Sequence, residues 1–265
     1  METKISSATK EVIIDDERPT VLIGERINPS GKKKMAEALR AGNLDIIVQE
    51  AKAQAAAGAD IIDVNVNTIG VDELTMLPRA VQAVMAAVDV PLCLDSPNPE
   101  SLAAALKVYK GRALINSVTG EERSMAQVLP LVKEYGAAVI GLPQDDTGIP
   151  ATPEQRLAIA RRIVERAESM GIPRENVIID CLALAVGADS TAGQVTINTA
   201  RKIKAELGVN LTLGASNISF GLPDRELLGN AAVAIAITAG FTCLIVDVAK
   251  VRPIVLATDV IVGKD

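Results

Sequence analysis

The strongest constraint on this chain is a repeated alternation of short aliphatic stretches with amphipathic ones. Eight strand-like stretches occupy residues 21–26, 61–66, 92–96, 113–118, 137–142, 177–182, 211–216 and 243–248. Each is short, aliphatic and rich in β-branched residues, which favour extended backbone. Between them, residues 44–57, 72–88, 121–135, 153–170, 192–207 and 224–238 carry the apolar spacing of helices with one buried face. Asn98-Pro99-Glu100 and Thr152-Pro153-Glu154 each supply a capping side chain, a proline at the first helical position and an early acid. Gly58, Gly136, Gly171, Gly208 and Gly240 each follow a helical run and precede a strand. Eight such units in 265 residues predict an α/β fold, a (β/α)8 TIM barrel. The alternative is an open doubly wound sheet. The barrel is preferred because a helical segment, residues 252–262, follows the last strand, and no GxGxxG turn follows an early one. Residues 20–265 are thus expected to form one barrel domain. Residues 1–19 are polar, lack a core pattern and read as a flexible or edge segment.

Composition narrows the chemistry. Aromatic residues are 2% of the chain (Tyr109, Tyr135, Phe220 and Phe241, with no Trp), so the core must be aliphatic, as suits parallel strands covered on both faces. Few aromatics and a net charge of −6 argue against a nucleic-acid partner. The absence of histidine removes Ser-His-Asp and Cys-His catalysis, His-based metal sites, and an imidazole axial ligand for cobalt. Cys93, Cys181 and Cys243 are widely spaced in aliphatic segments. They read as buried thiols, with strand alternation turning Cys93 and Cys181 away from neighbouring polar positions. No apolar run approaches the roughly 20 residues needed to cross a membrane, and the polar N-terminus does not resemble a signal peptide. A cytoplasmic enzyme is expected.

In such a barrel, function sits where strands end at their carboxyl termini. Those ends are rich in Asp and Asn: Asp63, Asn65 and Asn67 on the second strand, Asp95-Ser96 on the third, Asn116-Ser117 on the fourth, Asp180 on the sixth, Ser216-Asn217 on the seventh and Asp247 on the eighth. Two ligand classes suit this set. Carboxylates are hard ligands for a divalent cation. They also accept paired N–H bonds from an aminopyrimidine edge, beside which an amide both donates and accepts. Some of these residues could instead cap the following helix, Asp95 and Asp247 among them.

At these positions the sequence resembles the pterin-binding family, and within it methyltetrahydrofolate:corrinoid protein methyltransferases and the folate module of cobalamin-dependent methionine synthase. The resemblance is carried by the ordered series Gly24-Glu25-Arg26-Ile27-Asn28, Asp60-Ile61-Ile62-Asp63-Val64-Asn65, Leu92-Cys93-Leu94-Asp95-Ser96, Leu114-Ile115-Asn116-Ser117, Ile178-Ile179-Asp180 and Gly214-Ala215-Ser216-Asn217-Ile218-Ser219-Phe220. It implies that Asp95, Asn116 and Asp180 bind the pterin edge; Asp63, Asn65 and Ser216, at the strand ends, are expected to line the folate site, and Gln144, after the fifth strand, could touch the pterin or its linker. It implies that Asn217 is the catalytic amide that approaches N5, the nitrogen carrying the methyl group. The substrate would be tetrahydrofolate or 5-methyltetrahydrofolate. The corrinoid would arrive on a separate protein or domain, the chain would pair as a homodimer, and no metal would be bound. Arg26, Lys32, Lys33 and Lys34 could attract the anionic folate tail, or simply form a solvated helix start. Two rivals remain: dihydropteroate synthase, which needs a Lys near the seventh strand where Ser216-Asn217 stands here, and a non-catalytic pterin-binding or corrinoid-docking subunit.

Overall fold

The computed structural model describes residues 1–264. In chain order the elements are β1 (Thr3–Ser6), β2 (Glu11–Ile14), β3 (Val21–Ile27), α1 (Lys33–Arg40), α2 (Asp45–Ala56), β4 (Ile61–Asn65), α3 (Glu73–Ala87), β5 (Leu92–Asp95), α4 (Pro99–Val108), β6 (Leu114–Thr119), α5 (Glu122–Tyr135), β7 (Ala138–Leu142), α6 (Pro153–Ser169), β8 (Val177–Asp180), α7 (Ala192–Leu207), β9 (Asn210–Thr212), α8 (Arg225–Thr238), β10 (Cys243–Val246) and α9 (Val248–Val262). β3 to β10 form one parallel eight-stranded sheet in the order β10-β3-β4-β5-β6-β7-β8-β9. Its two ends meet where Ile245 N donates to Leu213 O at 3.0 Å and Thr242 N to Leu211 O at 3.2 Å. The fold is the expected (β/α)8 barrel, and no helix among the described residues is long and apolar enough to cross a membrane.

Strand pleating sorts the aliphatic residues into two layers. Leu22, Ile62, Leu94, Ile115, Val139 and Ile179 face outward and pack under the helices. Ile23, Ile61, Cys93, Leu114, Ile140, Ile178 and Cys243 face inward. Helix starts follow the expected chemistry: Asn98 Oδ1 accepts from Glu100 N at 2.9 Å and Thr152 Oγ1 from Gln155 N at 3.3 Å.

Residues 1–19 depart from the flexible or edge segment expected of them. β1 and β2 pair as an antiparallel hairpin, and Ile5, Val12 and Ile14 join the inward-facing cluster. The hairpin closes the amino-terminal end of the barrel. Fully buried Asn210 donates through Nδ2 to Ile14 O at 2.8 Å and to Thr3 Oγ1 at 2.9 Å. The Tyr109 hydroxyl donates to Ser6 O at 2.8 Å. At Gly111, where the hairpin meets the barrel, φ is +135°, and a Cβ would collide with the Ser6 carbonyl oxygen. The alternation that buries Ile5 and Ile14 spans only four residues on each strand, too short to stand out in a polar segment.

α9 is secured to the first barrel strand by a buried carboxylate. Asp259 accepts from Thr20 N at 2.9 Å and Thr20 Oγ1 at 2.7 Å. Asp259→Ala leaves both donors buried without a partner, which costs about 1–3 kcal/mol for each such group. Urea unfolding should show a loss of about 2–6 kcal/mol for the two donors together with the barrel retained, and an unchanged midpoint would contradict the role.

Candidate active site

Pleating also builds the mouth. Residues two apart on a strand share a face, so a polar residue two positions beyond an inward-facing aliphatic one stands directly above it. Asp63 and Asn65 follow Ile61 on β4, Asp95 follows Cys93 on β5, Asn116 follows Leu114 on β6 and Asp180 follows Ile178 on β8. The same offset corrects the reading of Cys93. It is buried, but inside the barrel and on the same face as Asp95. Cys181 does face the helix layer, as expected.

Four of the expected site residues form a hydrogen-bonded cluster. Asn65 Nδ2 donates to Asp95 Oδ2 at 2.8 Å, and Asn116 Nδ2 donates to Asp63 Oδ1 at 3.3 Å. Asn65 is itself oriented by Asn67, whose N–H donates to Asn65 Oδ1 at 2.8 Å. Asp95 does not cap α4; Asn98 does. Gln144, beyond β7, shares a cleft of about 420 Å³ with Asp95, Ser96, Asn116 and Thr119. Asp180 lies two strands from Asn116 in the sheet order, its Oδ1 accepting from Leu182 N at 2.7 Å.

The seventh barrel strand is shorter than expected. β9 stops at Thr212, and Ala215–Asn217 winds into a 3₁₀ turn. The turn leaves Asn217 exposed, folded back over Gly214, where a Cβ would lie 2.9 Å from Asn217 Nδ2. Ser216 Oγ donates to Glu25 Oε1 at 2.6 Å. Glu25, Ser216, Arg225 and Asp247 line a second cleft of about 270 Å³. Glu25 was legible only as part of a matching stretch; its signal is its position two beyond inward-facing Ile23 on β3. Asp247 precedes α9 without capping it through its side chain. It lies 3.7 Å from Arg26 and 3.6 Å from Lys250 instead.

Electrostatically the mouth is a set of strained acceptors. Burial drives the Asp63 carboxyl well above the usual carboxylate range, and the neighbouring charge of Asp95 adds to it. Burial raises Asp95 to about 6 against the Asn65 and Asp63 hydrogen bonds. Burial likewise raises Asp180 to about 6, offset by the Leu182 amide and the Arg156 charge. Glu25 is raised by burial and by Asp247, the Ser216 hydrogen bond opposing. Such groups gain most from a ligand that brings N–H donors into contact with them.

The family described as pterin binding enzyme matches residues 24–247, and the chain belongs to it. Methylcorrinoid:tetrahydrofolate methyltransferase of Eubacterium limosum is 32% identical over 255 residues, covering 92% of each chain. Methionine synthases of Mycobacterium leprae and Mycobacterium tuberculosis are 33% and 31% identical over 90% and 95% of this chain, which spans 21% and 22% of their length. Among solved structures, dihydropteroate synthase of Yersinia pestis superposes with a TM-score of 0.74 at 16% identity, covering 99% of this chain and 100% of that one. The enzyme of Xanthomonas albilineans in complex with 7,8-dihydropteroate superposes at 0.71 with 20% identity, covering 98% of both chains. These structures share the barrel.

The raised carboxyls set a pH dependence of stability. Asp180 titrates near 6 when folded, against about 4 unfolded. In that window the folded state holds more protons, so this residue's contribution to stability falls as pH rises from about 4 and is fully lost above about 6. Asp180→Asn removes the loss. At about pH 7.5 its unfolding free energy should exceed that of the parent by about 1–3 kcal/mol, with the difference vanishing below about pH 4. A variant less stable at the higher pH would contradict the desolvation account.

Proposed function

We propose that this chain transfers a methyl group between N5 of tetrahydrofolate and a corrinoid carried by a partner protein. The observation that carries the reading is the pairing of desolvated acceptors, Asp95 and Asp180, with an exposed amide at the rim, Asn217. A pterin edge presents an amino group, ring N–H groups and a carbonyl, which match carboxylates beside an amide. The relatives named as methylcorrinoid:tetrahydrofolate methyltransferase and methionine synthase support the same assignment.

The chain's own residues have three tasks. Asp95 and Asp180 accept the pterin N–H groups, with Asn65, Asn116 and Asp63 fixing the orientation of the acceptor cluster. Gln144 closes one side of the cleft. Asn217 acts at N5: an amine leaving group is poor unless N5 gains a proton or a strong hydrogen bond by the transition state, and only an interaction stronger there than in the ground state speeds the step. The reduced corrinoid supplies the methyl-accepting centre. With no histidine in the chain, its cobalt receives no imidazole from this protein. The rim fits a docked partner, because Ile69, Leu184 and Phe220 are exposed on the loops around the mouth and the Arg225 guanidinium stacks 5.4 Å from the Phe220 ring centre. Dihydropteroate synthase is the weaker reading: Ser216-Asn217 stands where that enzyme needs a lysine, and the structural likeness, at 16–20% identity, is one of fold alone.

A homodimer is part of the proposal. α6 packs closely on α7 and α8 on α9, whereas α7 and α8 pack more loosely. The gap is an apolar cleft of about 220 Å³ lined by Ile197, Leu213, Ala232, Ile235 and Phe241. Leu228 and Ile235, exposed on α8, form part of its lining, and exposed Leu227 neighbours them in sequence. An exposed apolar patch able to meet its own copy is what a two-fold pairing requires. Light scattering should give a dimer for the parent and a monomer for Ile235→Glu; a monomeric parent would refute the pairing.

Calorimetry with 5-methyltetrahydrofolate tests the site directly. Asp95→Ala and Asp180→Ala should each weaken binding by about tenfold or more. Parent affinity should fall as pH drops through about 6, because protonation removes the acceptors. With a reduced corrinoid protein as acceptor, Asn217→Ala should lower turnover by about a hundredfold while changing affinity less than about threefold. No heat with the parent, or equal losses of turnover and affinity in Asn217→Ala, would overturn the assignment.

A further inference from the structure

Arg156 lies in the first turn of α6 and is only 1% exposed. A buried guanidinium normally faces a carboxylate. Among the described residues this one forms no ion pair and is held by three carbonyls. Its Nε donates to Pro150 O at 2.9 Å, and its Nη1 donates to Cys181 O at 2.9 Å and Leu182 O at 3.0 Å. The first oxygen belongs to the loop after β7, which also carries Gln144. The other two lie at the exit of β8, immediately after Asp180. Leu182 sits at φ +56°, a conformation unfavourable for a residue with a branched side chain. Its carbonyl also accepts from Thr196 Oγ1 at 3.2 Å, and its N–H donates to Asp180 Oδ1 at 2.7 Å. One peptide unit therefore joins the Asp180 carboxyl to the Arg156 guanidinium.

We propose that Arg156 is a positioning residue for the folate site, holding the exit of β8 in the turn that aims Asp180 into the mouth and keeping that side chain an ionised acceptor. The proposal rests on the folate reading above and adds a residue that never touches the ligand. Other titratable groups close enough to act on Asp180 are thiols: Cys181 beside it and Cys243 on β10, both pushed upward by burial and so neutral near pH 7. β9 opposes Asp180 with Thr212, and α7 contributes Thr196. Arg156 is the cation acting on Asp180 among the described residues. A bare cross-link between loops would need donors but no charge, which separates a structural role from the proposed one.

The test is the pH profile of 5-methyltetrahydrofolate binding by calorimetry in the parent, Arg156→Lys and Arg156→Gln. Arg156→Gln should move the acid midpoint of binding upward by about one unit, since loss of a nearby opposite charge disfavours the carboxylate. Arg156→Lys should return the midpoint to that of the parent, with weaker affinity at every pH because the planar fork is lost. Uniformly weaker binding with an unmoved midpoint in Arg156→Gln would overturn the proposal. Should Arg156→Gln fail to fold, carbon NMR titration of the Asp180 carboxyl in Arg156→Lys decides: a midpoint within about half a unit of the parent supports control by charge, and a rise of about one unit or more refutes it. A parent that binds no folate at any pH would overturn the proposed function, leaving the carboxyl titration to judge Arg156.

Discussion

The whole molecule depends on the two-residue repeat of eight parallel strands closed around one axis. Closure leaves each strand one face toward the helices and one toward the axis. The axis-facing residues are mostly aliphatic or thiol at the bottom and mostly carboxylate or amide at the top. Packing by the hairpin around Ile5, Val12 and Ile14 seals the bottom, so the polar residues above rest on a dry floor. That floor gives Asp63, Asp95 and Asp180 their upward-shifted protonation. The fold and the electrostatics of the site are two results of one geometric repeat.

A site of this kind works against stability. Three desolvated carboxyls stand at the mouth, and the amides of Asn65, Asn116 and Leu182, with the Arg156 charge on Asp180, offset part of the cost. A flat ligand carrying N–H donors relieves that cost in proportion to its fit. Recognition therefore draws on energy already stored in the free protein, as is general for acceptors arranged ahead of their partner.

The barrel was readable because each unit repeats a strong signal: a β-branched run, a cap such as Asn98 or Thr152, and a closing glycine. Asp63, Asn65, Asp95, Asn116 and Asp180 were readable because they end those runs. Features resting on contacts between distant segments were not. The hairpin of residues 3–14 lacks a long enough pattern, and its place under the barrel follows from Asn210 and Tyr109. The 3₁₀ turn that exposes Asn217 depends on how closely the side chain lies over Gly214. Arg156 looked like any charged residue on an amphipathic helix, since no local pattern marks a cation whose partners are carbonyls of two other loops. Cys93 was misplaced by counting from its nearest neighbour, although Asp95, two positions on, shares its face.

The hairpin also bears on the order in which the chain can mature. Its partners are spread along the sequence: Tyr109 holds Ser6, and Asn210 holds Ile14 and Thr3. The hairpin is made before the barrel strands, yet its Asn210 anchor lies on the seventh of them. Contacts of such wide sequence separation slow assembly, and the waiting segment exposes Ile5 and Ile14 meanwhile. Until the seventh barrel strand is made, the base of the cylinder stands open and its apolar lining invites aggregation.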